Sequence, residues 1–336
     1  MQTTIFGKTG LTVGRTGLGC IPIQRISYEE STALLRRAYD GGINLYDTAN
    51  MYTSSEDKLG VALAHVREKI VICTKSGAQT GDAMLPHLEN SLAKLRTDYI
   101  DVYQFHNPGF VPVPGGEDGL YDAALRAQAQ CKIRFIGISA HKYEVALKAV
   151  QSGLYASLQF PFSYLSTPKE LTLIEECAKR NVGILAMKGL CGGLITNAKA
   201  AFAFLRQYEN VVPIWGIEKP HQLDEFLGYE ADPPSMDGDM HKQIEEDKRE
   251  LSGSFCRGCG YCLPCPADIP IPMAARITFL AGRMLRENFV TEEWQGHMRK
   301  IDNCTHCAHC KANCPYELDV PELLKSQQAG YFAGLK

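Results

Sequence analysis

The chain has 336 residues, 45% of them apolar and 22% charged, with a formal net charge of -3. That length accommodates one large domain, or one large and one small, and the charge balance supplies no basic field for nucleic acid or an anionic membrane. No run approaches the ~18 consecutive apolar residues of a membrane span, and the opening MQTTIFGKTGLTVG has Lys and Gly where a secretory leader needs an apolar core, so the expectation is a cytoplasmic protein.

Residues 3–17, TTIFGKTGLTVGRTG, read as a hairpin of β-branched and apolar residues around turn glycines. Short apolar runs follow at Thr16 to Cys20, Ile43 to Asp47, Ile70 to Lys75, Tyr99 to His106, Ile133 to Ser139, Ala156 to Phe160, Val182 to Met187 and Val211 to Ile214. Between them lie segments of helical spacing such as Glu29 to Tyr39, Leu85 to Leu95, Tyr143 to Val150 and Leu171 to Lys179. Eight strand–helix repeats predict an α/β fold, a closed (β/α)8 TIM barrel over residues 1–228. An open dinucleotide-binding sheet should carry G-x-G-x-x-G after its first strand, and Gly17-Leu18-Gly19-Cys20 does not.

Asp232-Pro233-Pro234 and the charged run HKQIEEDKREL mark 229–254 as a solvated connecting helix. Beyond it the composition changes. Of 13 cysteines, eight fall between Cys256 and Cys314, which sets off 255–336 as a second domain. In a cytosolic chain such crowding points to metal or redox chemistry rather than disulfides.

Barrels work at the C-terminal ends of their strands. The second, third and fourth predicted strands close in Asp47, Lys75 and His106, and Tyr52 follows on the loop after the second. A phenol beside an ammonium is expected to have a lowered pKa, Asp47 can hold Lys75 as an ion pair, and His106 can orient a substrate oxygen. The group suits a carbonyl that receives a hydride at carbon and a proton at oxygen, with Tyr52 as general acid. Each residue alone has an ordinary structural reading, as a cap, a core ion pair or a satisfied histidine. The Pro- and Gly-rich loop Asn107 to Gly119 leaves the same face as a substrate wall, a lid or an inert surface loop, and Cys20, His141 and Cys191 fall near the mouth.

The stretch D47-T-A-x-x-Y52-x-x-S-E-x-x-L-G, with T-K75 and Y-x-x-H106, resembles the aldo-keto reductases, (β/α)8 barrels that reduce carbonyls with a nicotinamide cofactor. The resemblance implies that Asp47, Tyr52, Lys75 and His106 form that family's catalytic tetrad. It further implies that Ser139 and Gln159 hold the carboxamide, and that Met187 stands where an aromatic residue usually stacks on the ring. Ala140 replaces the family's second amide ligand. By the same resemblance Gly189, Gly192 and Gly193 cradle the pyrophosphate, while Lys219 and His221 meet a 2'-phosphate that Glu218 would repel, leaving NADP or NAD open.

In the tail, C304-T-H-C307-A-H-C310-K-A-N-C314-P has the spacing of bacterial two-cluster ferredoxins, and C256-R-G-C259-G-Y-C262-L-P-C265-P is one residue shorter before its last cysteine. That variant resembles a branch of the aldo-keto reductases with a mostly helical, ferredoxin-like tail. The ferredoxin exchange assigns Cys256, Cys259, Cys262 and Cys314 to one [4Fe-4S] cluster, and Cys265, Cys304, Cys307 and Cys310 to the other. Zinc is the competing occupant. Met273 to Asn288 and Thr291 to Ile301 read as helices between the motifs, and His306 and His309 receive no role. The tail reads as a structural module, a conduit to an electron-transfer partner protein, or an oxidation sensor. The expected partner at the barrel is a small carbonyl or alcohol. The alternative is an electron-transfer or regulatory subunit whose barrel binds nucleotide without fast turnover.

Overall fold

The computed structural model describes residues 1–251, 255–283 and 286–335. Positions 252–254 of the expected connector, 284–285 of the expected Met273 to Asn288 helix, and 336 lie outside the described residues. The chain divides into two compact units, the first comprising Met1–Gly189 and Phe202–Met236, the second Leu190–Ala201 and Asp237–Lys336.

In the first unit, β1 (Thr3–Ile5) and β2 (Thr12–Gly14) form the expected antiparallel hairpin, with Thr3 opposite Gly14. The described residues then close a barrel from eight parallel strands: β3 (Gly17–Gly19), β4 (Leu45–Asp47), β5 (Val71–Ser76), β6 (Ile100–His106), β7 (Ile133–Ser139), β8 (Ser157–Pro161), β9 (Gly183–Met187) and β10 (Val211–Gly216). β10 pairs with both β9 and β3, which leaves no free edge. The crossovers carry α1 (Tyr28–Asp40), α2 (Ser55–Leu63), α3 (Gly81–Leu95), α4 (Leu120–Ala129), α5 (Tyr143–Ser152), α6 (Pro168–Lys179) and α7 (Ala198–Arg206), and α8 (Pro220–Ala231) follows the last strand.

Local sequence accounts for where these helices begin. Ser27 accepts from the Glu30 amide while the Glu30 side chain returns to the Ser27 amide, and Thr167 with Glu170 repeats the arrangement at α6. Inside the barrel, Leu45, Val71, Cys73, Val102, Leu185, Val212 and Ile214 pack with Phe6, Leu11 and Val13 of the hairpin segment. Each of these buried aliphatic side chains contributes about 1.5–3 kcal/mol relative to an exposed one. Cys73 is therefore a core residue, as its mid-strand position implies.

Register decides what meets at the C-terminal mouth. Asp47 pairs with Cys73, Lys75 with Gln104, His106 with Ser139, and Ser139 with Gln159. The polar strand ends thus form one continuous arc.

The second unit contains α9 (Gly238–Glu250), which lies within the stretch expected as a solvated connector but belongs to this unit and buries Met240, Ile244 and Asp247, followed by the tail. There the predicted Met273 to Asn288 helix is broken into α10 (Ile271–Ala274) and α11 (Ile277–Arg283), with a 3-10 turn at Arg286–Asn288. The break falls at Ala275 and Arg276, where Arg276 Nε donates back to the Pro272 carbonyl. α12 (Glu292–Arg299), α13 (His309–Ala312) and α14 (Val320–Gly334) complete it. Among the described residues, no helix is long and apolar enough to cross a membrane.

Candidate functional site

The strand ends bring Asp47, Lys75, His106 and the loop residue Tyr52 together. Lys75, 1% exposed, donates from Nζ to Asp47 Oδ1 at 2.8 Å, to Asp47 Oδ2 at 2.7 Å and to the Thr48 carbonyl at 2.6 Å. The same ammonium lies 5.3 Å from the centre of the Tyr52 ring. Tyr52 and His106 meet edge to face with centroids 5.9 Å apart.

Two further side chains hold the carboxylate. Gln104 Nε2 donates to Asp47 Oδ1 at 3.2 Å and Gln159 Nε2 to Oδ2 at 3.1 Å. Burial pushes the Asp47 carboxyl up, and Lys75 with the two amides pulls it back. Gln104 was not singled out in the sequence. Its signal is the polar residue two positions before His106, which puts both on the same face of β6.

The expectation that Lys75 lowers the Tyr52 pKa is corrected by the surroundings. Burial is the largest influence on the phenol and raises its pKa, and the Asp47 carboxylate acts in the same direction. His106 is driven down to about 3, by burial first and by Lys75 second. Its imidazole is therefore neutral at physiological pH, and Nδ1 is buried with no partner among the described residues.

Ser139 accepts from the Asn107 amide at 3.1 Å. Gln159 Oε1 is buried without a partner among the described residues, an acceptor left over for an incoming N–H. Ala140 is fully buried. Asn107 holds φ at 50°, and its Oδ1 accepts from the His141 backbone amide at 3.0 Å. Met187 is half-buried against the interior cluster. The Asn107–Gly119 loop is pinned rather than free, because Tyr155 donates to the Pro112 carbonyl and Asp122 accepts from the Gly115 amide at 3.0 Å.

At the start of α8, Glu218 is taken up by Arg25 at 2.9 Å. Arg25, Arg37, Glu218 and Lys219 line a groove of about 1180 Å3, in which Arg25 is a cation the sequence did not advertise. His221 is exposed and does not line this groove. Gly189 closes the first segment of the barrel unit, while Gly192 and Gly193 fall in the 190–201 segment of the second.

In the tail, Cys256, Cys259, Cys262 and Cys314 line one cavity. Cys265, Cys304, Cys307 and Cys310 line another, which Cys262 also borders. Each cavity joins cysteines of both motifs. Positive φ recurs two and four residues after the first cysteine of each motif, at Gly258 and Gly260 and at His306 and Ala308. His306 thus serves as a left-handed turn residue. The Gly258 amide donates to Cys256 Sγ at 3.4 Å. Among the described residues, no three His, Cys, Asp or Glu side chains are arranged for a single metal ion.

Asp47, Tyr52, Lys75 and His106 thus lie together at the C-terminal mouth of a parallel (β/α)8 barrel. Residues 10–203 match the Aldo/keto reductase family, and residues 255–319 match the 4Fe-4S dicluster domain. The chain belongs to the aldo/keto reductase family. Aldo-keto reductase YhdN of Bacillus subtilis (strain 168) is 30% identical over 219 residues, covering 58% of this chain and 64% of that protein. L-galactose dehydrogenase of Arabidopsis thaliana is 25% identical over 215 residues, covering 58% of this chain and 67% of that protein. The chain thus spans about two thirds of the length of these relatives. An aldo-keto reductase from Klebsiella pneumoniae in complex with NADPH shares the fold, with a TM-score of 0.64 at 23% identity over 73% of this chain and 94% of that one.

Proposed function

We propose that the chain is an NADP(H)-dependent oxidoreductase that interconverts a carbonyl and an alcohol. The observation that carries this reading is the buried Asp47–Lys75 pair set beside Tyr52 and His106. When bound, the nicotinamide supplies or accepts the hydride. Tyr52 is protonated at neutral pH and donates that proton to the substrate oxygen. The Lys75 ammonium then stabilises the phenolate, and Asp47 keeps the ammonium in place with its own position fixed by Gln104 and Gln159. The neutral imidazole of His106 donates a hydrogen bond that orients the same oxygen. In the alcohol-to-carbonyl direction the Tyr52 phenolate takes the proton back.

The residues fit a nicotinamide nucleotide. The unpartnered Gln159 Oε1 and the Ser139 hydroxyl suit the carboxamide, and the Met187 thioether can pack on the ring. Backbone amides at Gly189 and Gly192 suit the pyrophosphate, while the Gly193 amide is taken by the Leu190 carbonyl at 3.0 Å. Arg25 and Lys219 suit a 2'-phosphate, and Arg25 offsets the repulsion from Glu218, which favours NADP over NAD.

The tail residues fit two [4Fe-4S] clusters, held by Cys256, Cys259, Cys262 and Cys314 and by Cys265, Cys304, Cys307 and Cys310. The cavities, the left-handed turns and the donor set support that assignment. The Tyr52→Phe variant tests the barrel chemistry. Turnover is expected to fall by about 10²–10⁴ while NADPH affinity stays within about threefold of the parent, and undiminished turnover in that variant would refute the mechanism.

A further inference from the structure

The proposed proton chemistry makes no use of the buried charge of Arg276. Arg276 is 5% exposed, and among the described residues no carboxylate pairs with it. Its Nη1 donates to the Gly192 carbonyl at 3.0 Å and to the Cys191 carbonyl at 3.4 Å. Its Nε donates to the Pro272 carbonyl at 2.8 Å, and Nη2 lies 3.7 Å from Met273 Sδ. A Cβ at Gly192 would stand 2.8 Å from Nη1, and one at Gly258 would stand 2.9 Å from Cζ. Both glycines hold left-handed φ, 64° and 63°. The guanidinium is thus clasped between the first cysteine motif and the loop that follows β9.

A buried cation with only dipolar partners is costly. Here burial lowers the Arg276 pKa, and the sulfurs that oppose this are those of Cys256, Cys191 and Cys259. The charge therefore makes sense once Cys256 and Cys259 are thiolates around an iron–sulfur core. The equivalent position in the second motif is His306, which carries a side chain where Gly258 has none.

We infer that Arg276 couples the cluster held by Cys256, Cys259, Cys262 and Cys314 to nucleotide binding at the 190–193 loop. This rests on the reading of that loop as the pyrophosphate cradle. One electron from a low-potential donor such as dithionite enters the iron core, breaks no bond and makes the cluster one charge more negative. The guanidinium is then drawn toward the sulfurs, its bonds to the Cys191 and Gly192 carbonyls weaken, and the loop holds an anionic ligand less well. By reciprocity the ligand makes that cluster harder to reduce.

The test uses the full chain with its clusters, prepared without oxygen. The probe is 2'-phospho-ADP-ribose, which carries the pyrophosphate and no nicotinamide. Calorimetric Kd is measured for oxidised and dithionite-reduced protein, and cluster potentials are followed by electron paramagnetic resonance with and without probe. Reduction is expected to weaken binding about fivefold, and probe should lower one potential by about 40 mV, from 59 mV per tenfold for one electron. Arg276→Gln with its iron content intact should reduce the coupling below about twofold, and Arg276→Lys should retain it.

Equal affinity in both redox states of the parent, or coupling undiminished in Arg276→Gln, overturns the inference. The parent measurement decides even where the Gln variant loses iron. A probe that binds neither state refutes the pyrophosphate reading itself, which separates that failure from the loss of coupling.

Discussion

Removing the Lys75 ammonium is the most direct challenge to the architecture of the site. Asp47 accepts four bonds, two from Lys75 and one each from Gln104 and Gln159, and all four side chains are buried. Lys75→Met leaves a buried carboxylate with two amide donors, and breaking a buried pair in this way costs about 3–5 kcal/mol. Burial already pushes the Asp47 carboxyl up. Without the ammonium that influence is opposed only by the Gln104 and Gln159 amides, and the folded variant retains a proton that the unfolded chain has released. Its stability therefore falls as pH rises above the unfolded carboxylate pKa of about 3.9.

Adding Asp47→Asn removes the second charge. The new amide can donate to Gln104 Oε1 or Gln159 Oε1, both without partners among the described residues. The double variant should therefore be destabilised by about 2 kcal/mol less than the sum of the two singles. Urea unfolding followed by Trp215 fluorescence, in a Trp294→Phe background, reads the barrel, because Trp215 is buried on β10. Strict additivity of the two substitutions would show that the pair is not a coupled unit.

Arg25→Ala should lower the preference for NADPH over NADH in kcat/KM by about tenfold, a loss of ~1.4 kcal/mol typical of one charge-assisted contact, and an unchanged ratio would remove Arg25 from the 2'-phosphate site. Cluster pairing can be read from iron content. Cys256→Ser with Cys314→Ser should leave about half of the parent iron, whereas Cys304→Ser with Cys314→Ser should strip both clusters, and the reverse order would return each motif to its own cluster. His106 is neutral in the fold down to about pH 3 while its unfolded counterpart takes a proton near 6.5. The unfolded state then binds more protons between these values, so the parent loses stability as pH falls from 6.5 toward 3, and the same denaturation series on His106→Asn should show a shallower loss.

The barrel was readable because its strands are apolar runs closed by polar residues, and the register turns those endings into an arc. Asp47, Lys75 and His106 stood out for that reason, and Tyr52 through its spacing from Asp47. What escaped lies where one-dimensional pattern carries no signal. Arg25 sits in a 3-10 turn with no periodicity, and its link to Glu218 spans nearly the whole barrel sequence. The direction of the Tyr52 shift depends on how much water the fold removes, a quantity that neighbouring charges do not reveal. The predicted tail helix broke at Arg276 because a tertiary contact outweighed helical continuity, as local propensity is weak beside packing.

The assignment of residues 190–201 to the same compact unit as the tail bears on how this chain can be edited. Deleting everything after Met236 would remove the partners of a segment that runs from the loop after β9 into the first turn of α7, in the middle of the barrel sequence. The cysteine domain is therefore no detachable cargo. A shortened gene would encode eight strands with one crossover left unsupported, so any transplant of the tail onto another barrel must bring that crossover with it.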